Sequence, residues 1–163
     1  MARIGDTYQV DRLPGNATIQ GVPIHSNQGP IVFHASGRLA KGVLRESTWI
    51  GEYSFKPDTA IELAEDGKVV SGTVLGTYAD DRGTIPNGSE LRFDSRGQIY
   101  SAILGDNADV QGFRFPKGSK VVFRDDGNLF EVTLSRKTKI GQTFRKSGET
   151  IRFDEDSDPI SEK

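Results

Sequence analysis

Every thirty residues the chain returns to one arrangement: an aliphatic residue, a bulky apolar residue two positions on, and a glycine four positions after that. The aliphatic positions are Ile31, Ile61, Leu91, Val121 and Ile151, and the bulky ones are Phe33, Leu63, Phe93, Phe123 and Phe153. The glycines are Gly37, Gly67, Gly97 and Gly127, with Ser157 in the fifth slot. Two residues beyond the glycine stands Leu39, Val69, Ile99 or Leu129, and each unit closes near Leu44, Leu75, Leu104 or Leu134. A fixed period of this length marks an array of like supersecondary units, each burying its apolar face against its neighbours.

In the clearest unit, residues 109–134, alternation and turn residues predict three short strands. The first runs from Val110 to Phe115 and ends in Pro116-Lys117-Gly118. There proline presets φ for the first central position of a turn and glycine accepts the left-handed position after it. Ile85-Pro86-Asn87-Gly88 repeats that chemistry. The second strand, Lys120 to Arg124, turns Val121 and Phe123 inward, while the outward slot varies among the units as Val32, Glu62, Arg92, Val122 and Arg152. Arg124-Asp125-Asp126-Gly127 reads as a type I turn with a glycine bulge, and the third strand follows from Asn128 to Leu134.

The expected fold is therefore all-β, an antiparallel β-meander or β-roll of five tandem repeats. A parallel β-solenoid is the alternative, because an unbroken period also suits like residues stacked ~4.8 Å apart. The expected organisation is a leading segment over 1–16, one repeat domain over 17–155, and a polar tail over 156–163. The copies fall at about 17–44, 45–75, 76–104, 105–134 and 135–155, the fifth lacking its closing strand.

The segments Phe33-His-Ala-Ser-Gly37-Arg-Leu39, Phe93-Asp-Ser-Arg-Gly97-Gln-Ile99 and Phe123-Arg-Asp-Asp-Gly127-Asn-Leu129 resemble the aromatic-x-x-x-Gly-x-Leu core of MORN-variant repeats. The likeness covers residues 17–155, with a unit longer than the usual MORN period and without the Tyr-x-Gly signature. It implies an antiparallel β-sheet scaffold serving contacts with proteins or lipids, and carries over no catalytic residue.

Charge narrows the partners. The 21 basic and 23 acidic residues are mixed along the chain, leaving no basic face of the kind a nucleic-acid backbone requires. With no cysteine there is no disulfide, thiolate nucleophile or Cys-ligated zinc. No apolar run reaches the eighteen residues of a membrane span, and the N-terminus lacks a signal-peptide pattern. The compartment, periplasmic or cytoplasmic for a soluble chain, stays open on these grounds.

Candidate chemistry is sparse. His25 and His34 lie near the first two turns of copy one, where a metal pair would need Glu46 or Glu52 beside it; surface histidines are the simpler reading. Acids cluster at Asp80-Asp81, Asp106 with Asp109, Asp125-Asp126 and Asp154-Glu155-Asp156. A glycosidase needs two carboxyls facing each other across a cleft, whereas hairpin turns simply favour Asp, Asn and Ser. Gly105 to Asp109 and the Asp154, Asp156, Asp158 alternation offer oxygen ligands for calcium but lack an EF-hand pattern. No catalytic residue, metal site or cofactor is assigned. The binding candidates are the copy-specific aromatics Trp49 and Tyr53, expected on one face of the first strand of copy two, together with Tyr78; Tyr100 and Phe130 fall at equivalent places. The function expected is a non-catalytic scaffold or binding module docking a protein or cell-envelope partner. The alternatives are a carbohydrate-binding module on Trp49 and Tyr53 and a hydrolase using turn carboxylates. Homo-oligomerisation through a sheet edge is a further expectation.

Overall fold

The spacing of the apolar positions shifts once inside each unit, and that shift decides the architecture. In copy four Ala108, Val110 and Phe115 are buried and Phe113 is half-buried, so the inward positions jump by three between Val110 and Phe113. A continuous strand keeps its inward positions two apart. The interval is absorbed by a turn at Gln111-Gly112, whose φ values are 48° and 83°. The strand expected from Val110 to Phe115 is thus a hairpin of two three-residue strands. A full unit has four strands where three were expected.

The computed structural model describes residues 2–160, with side chains from residue 5 onward. The chain divides into two compact units, one formed by residues up to Leu75 with Phe93–Gly97, the other by Gly76–Arg92 and residues from Gln98 on. The first contains β1 (Ala2–Ile4), β2 (Thr7–Val10), β3 (Ala17–Ile19), β4 (Val22–Ile24), β5 (Ile31–His34), β6 (Leu39–Val43), β7 (Thr48–Ile50), β8 (Tyr53–Phe55), β9 (Ala60–Leu63) and β10 (Val69–Thr73). The second contains β11 (Tyr78–Asp80), β12 (Gly83–Ile85), most of β13 (Glu90–Phe93), β14 (Ile99–Ile103), β15 (Ala108–Val110), β16 (Phe113–Phe115), β17 (Lys120–Phe123), β18 (Leu129–Thr133), β19 (Thr138–Ile140), β20 (Thr143–Arg145) and β21 (Thr150–Arg152). Among the described residues no helix is long and apolar enough to cross a membrane.

Hydrogen bonding orders β1-β2-β5-β6-β9-β10 within the first unit and β14-β17-β18-β21 within the second. Separate from these are the hairpins β3–β4, β7–β8 and β19–β20 and the four-stranded sheet β11-β12-β15-β16. Pairing is antiparallel, which overturns the parallel-solenoid alternative. In the first unit the row Gly42, Ile61, Gly72 faces inward and Lys41, Glu62, Ser71 faces outward. In the second unit Ala102, Val121, Val132 and Ile151 form the inward row. The short hairpins cover this face: a Cβ on Gly42 would meet Ile24 of β4 at 2.9 Å, and one on Gly72 would meet Phe55 of β8 at 2.7 Å. Phe55, Phe115 and Phe153 are wholly buried, each contributing about 1.5–3 kcal/mol by leaving water.

The thirty-residue glycine has the role its position predicts. Gly37, Gly67, Gly97 and Gly127 have φ between 82° and 88°, and Ser157 takes 62° in the same slot. At each turn the slot's N–H donates to the carbonyl three residues earlier, as Gly127 does to Arg124 at 2.9 Å. The register then slips by one residue, leaving Ala40 and Val70 as bulges in the first unit and Phe130 in the second. Arg124 stacks 4.9 Å above the Phe130 ring.

Three expectations at the edges of the pattern change. The buried closing residue of copy two is Val74, in register with Leu44, Leu104 and Leu134, whereas Leu75 is 37% exposed. The leading segment is partly sheet, since β1 pairs with β2 and β2 with β5. The polar tail completes a fifth turn: Asp154 N–H donates to the Asp158 carbonyl at 2.9 Å, and Phe153 bridges to Pro159. Residues 161–163 of that tail lie outside the described residues.

Candidate binding groove

Trp49 and Tyr53 lie in the β7–β8 hairpin, on opposite strands separated by a turn at Gly51. Residues directly opposite in an antiparallel pair share a face. Trp49 pairs with Ser54, while Tyr53 pairs with Ile50, beside the Thr48 and Phe55 pair that faces the core. The two aromatics therefore face opposite ways, and the single platform expected from their spacing does not form. The turn between them inverts the parity that a continuous strand would have kept. Trp49 is 69% exposed. Its counterparts by hairpin register are Thr18, Ala79, Asp109 and Lys139, so the indole is particular to copy two. Tyr78 belongs to the second unit, half-buried in β11 opposite Ile85. Tyr100, in the bulge slot, is 40% exposed.

Tyr53 lines a groove of about 500 Å³ within the first unit. Its apolar lining is Tyr53, Phe55 and Phe93 with Ile50 and Val69, and its polar lining includes Glu52, Asp66, Lys68 and Arg96. Phe93 holds the aromatic cluster together, with ring centroids 5.5 Å from Tyr53 and 6.4 Å from Phe55. The turns carry the cations: Lys68 N–H donates to Asp66 Oδ1 at 3.0 Å and Arg96 Nη2 to Asp94 Oδ2 at 3.0 Å. Two acidic and two basic side chains in the lining leave it balanced in charge.

Sixty residues along, the same groove recurs in the second unit with different contents. Phe113 and Phe115 face Phe153 at 5.3 and 6.3 Å, reproducing the aromatic cluster. Gly51 is replaced there by Gln111, Lys68 by Asn128, Arg96 by Asp156 and Gly97 by Ser157. Gln111 Oε1 accepts from Leu129 N–H at 2.8 Å and from Ser157 Oγ at 2.6 Å, and Gln111 Nε2 donates to the Gly127 carbonyl at 2.9 Å. Copy one does the same with Gln20, whose Oε1 accepts from Leu39 N–H at 2.9 Å. The repeat pattern marks Phe93 only as a packing residue and gives Lys68, Arg96, Gln20 and Gln111 no distinguishing position. Gln20-Gly21 and Gln111-Gly112 each put two residues at positive φ, but the dipeptide alone is no signal, because Gln28-Gly29 has only its glycine there.

The remaining polar candidates have local partners. His25 Nε2 lies 2.7 Å from Asp58 Oδ1, and His34 Nε2 lies 2.9 Å from the Leu63 carbonyl, so the structure does not bring the two histidines onto a shared ligand. Asp154 Oδ1 accepts from the N–H groups of Asp156 and Asp158 at 3.0 and 2.9 Å, and Asp126 Oδ1 from Asn128 N–H at 2.9 Å. Asp106 Oδ1 accepts from Asn107 N–H at 2.7 Å, and Asp109 pairs with Arg114 at 3.1 Å. Arg82 donates to Asp80, and that hydrogen bond holds the Asp80 carboxyl below its ordinary range, opposite to the shift a general acid needs. Among the described residues no three His, Asp or Glu side chains are grouped to hold a metal ion. Comparison with protein-family models, curated proteins and solved structures finds no match to this chain.

Proposed function

We propose that the chain is a non-catalytic binding module, in which the repeated slots supply a fixed scaffold and the copy-two hairpin docks a protein partner, cell-envelope proteins included. The observation that carries this reading is Trp49, 69% exposed where the matching hairpin position in the other copies is Thr18, Ala79, Asp109 or Lys139. Tryptophan is the side chain most enriched among residues that dominate binding energy at interfaces. The opposite face of the same hairpin lines the groove through Tyr53 and Ile50. Asp106, Asp126 and Asp154 support the non-catalytic part, since they accept from N–H groups of their own loops.

The test is quantitative capture from a lysate of the source cells, using the full chain, Trp49→Ala and Lys139→Ala. Lys139 occupies the Trp49 slot in copy five. A partner retained by the wild type and by Lys139→Ala, and lost at least tenfold by Trp49→Ala, is the expected result. Trp49→Ala is expected to stay within about 0.5 kcal/mol of wild-type stability, so that the loss reports contact and not unfolding. Equal capture by all three proteins rejects the reading. A second reading, carbohydrate binding on the exposed indole, is favoured by that same exposure and weakened because Tyr53 faces away. Saturable quenching of the single tryptophan's fluorescence by a member of a glycan panel would select it.

A further inference from the structure

The groove of the first unit is the groove of the second with its plug removed. In copy four the Gln111 carboxamide bridges the turn, accepting from Leu129 N–H and donating to the Gly127 carbonyl, and Gln111 lines the same hollow as Phe113. In copy one Gln20 likewise accepts from Leu39 N–H. Val69 stands in the same ladder register against Leu63 as Leu39 does against Phe33 and Leu129 against Phe123. The tip residue that would reach it is Gly51, which has no side chain, and Ser157, whose hydroxyl is the second donor to Gln111 Oε1, is matched by Gly97. Both substitutions empty the same space, and the aromatic floor beneath it is kept.

We propose that this groove binds the primary carboxamide of a glutamine side chain carried by a partner polypeptide. Val69 N–H donates to the carboxamide oxygen and the Gly67 carbonyl accepts from its nitrogen, with Tyr53 and Phe93 beneath the amide plane. The chain itself identifies the occupant, because it places a glutamine amide at this position twice, each time from a Gln-Gly hairpin tip. The balanced polar lining makes recognition a matter of hydrogen-bond pattern and ring contact, so binding changes little with salt. The inference rests on the docking reading and names the group recognised.

The test uses the full chain and a cyclic hairpin peptide presenting a Gln-Gly tip, followed through the backbone amide resonance of Val69. The expected result is a saturable shift of Val69 by the peptide, at least tenfold weaker for the Gln→Glu analogue, which has no N–H to give Gly67. It persists from low to half-molar salt. Transplanting the plug as Gly51→Gln with Glu52→Gly closes the groove and abolishes the shift. Both changes are needed because Gly51 alone has positive φ in its turn, whereas Gln111-Gly112 has two. The glutamine and glutamate arms on the wild type decide the matter without the variant. No Val69 response, equal binding of the glutamate analogue, or saturation by N-acetylglucosamine but not by the peptide overturns the proposal. Partner capture that still depends on Trp49 while Val69 stays silent removes this site and leaves the docking reading standing. A Val69 response with capture indifferent to Trp49 does the reverse.

Discussion

Two glycines show how differently the same residue serves this chain. Gly37 has φ 86° and open space where a Cβ would go, so Gly37→Ala isolates the cost of a left-handed backbone. Urea unfolding is expected to show a loss of about 1–2 kcal/mol. Gly72 has ordinary φ, but a Cβ there would sit 2.7 Å from Phe55 and 2.8 Å from Ile61. Gly72→Ala is expected to cost about 1–3 kcal/mol by overpacking. Adding Phe55→Leu relieves the clash, so the double variant is expected to lie nearer wild type than the two single losses added together. Sequence spacing makes the first role readable, since Gly37 recurs every thirty residues. The second is hidden, because the same inward slot holds Gly42, Gly72, Ala102 and Val132, and only packing against the covering hairpin says which size fits.

At the level of the element, the hairpin tips are the variable part. Gln20-Gly21 and Gln111-Gly112 put two residues at positive φ, while Gly51 and Gly141 are followed by residues outside that region. The tip of β11–β12 is different again, closed by Arg82 on Asp80. The hydrogen bond from Arg82 lowers the Asp80 carboxyl below its ordinary value. A carboxyl that titrates lower when folded adds stability above about pH 4, its ordinary range, and loses it as pH falls through the folded value. Comparing melts at pH 7 and pH 3, Asp80→Asn is expected to flatten the acid loss by less than about 1 kcal/mol, since solvent screens so exposed a pair. The expected three-strand unit failed at these tips. A two-residue turn within an apolar run leaves composition unchanged and shows only as a three-residue interval between inward positions, such as Val110 to Phe113.

For the molecule as a whole, the end of the chain carries a prediction of its own. Ser157 is buried, Ile160 N–H donates to the Arg152 carbonyl at 2.8 Å, and Phe153 bridges to Pro159. Residues 154–160 thus occupy part of the β21 edge. A chain ending at Phe153 leaves that edge open and is expected to scatter light as an associated species at concentrations where the full chain does not. The sequence left antiparallel and parallel pairing both open, but the period itself, the glycine slots and the buried aliphatic and aromatic rows it determined alone. Each of these depends on local backbone conformation and on burial parity within one strand. Tertiary structure decided which way Trp49 and Tyr53 face, that Phe93 closes a groove on Tyr53, and that Gln111 fills in one unit the space Gly51 leaves empty in the other. Those relations join residues across turns and between neighbouring strands, where one residue of register changes the face a side chain occupies and the neighbours it meets.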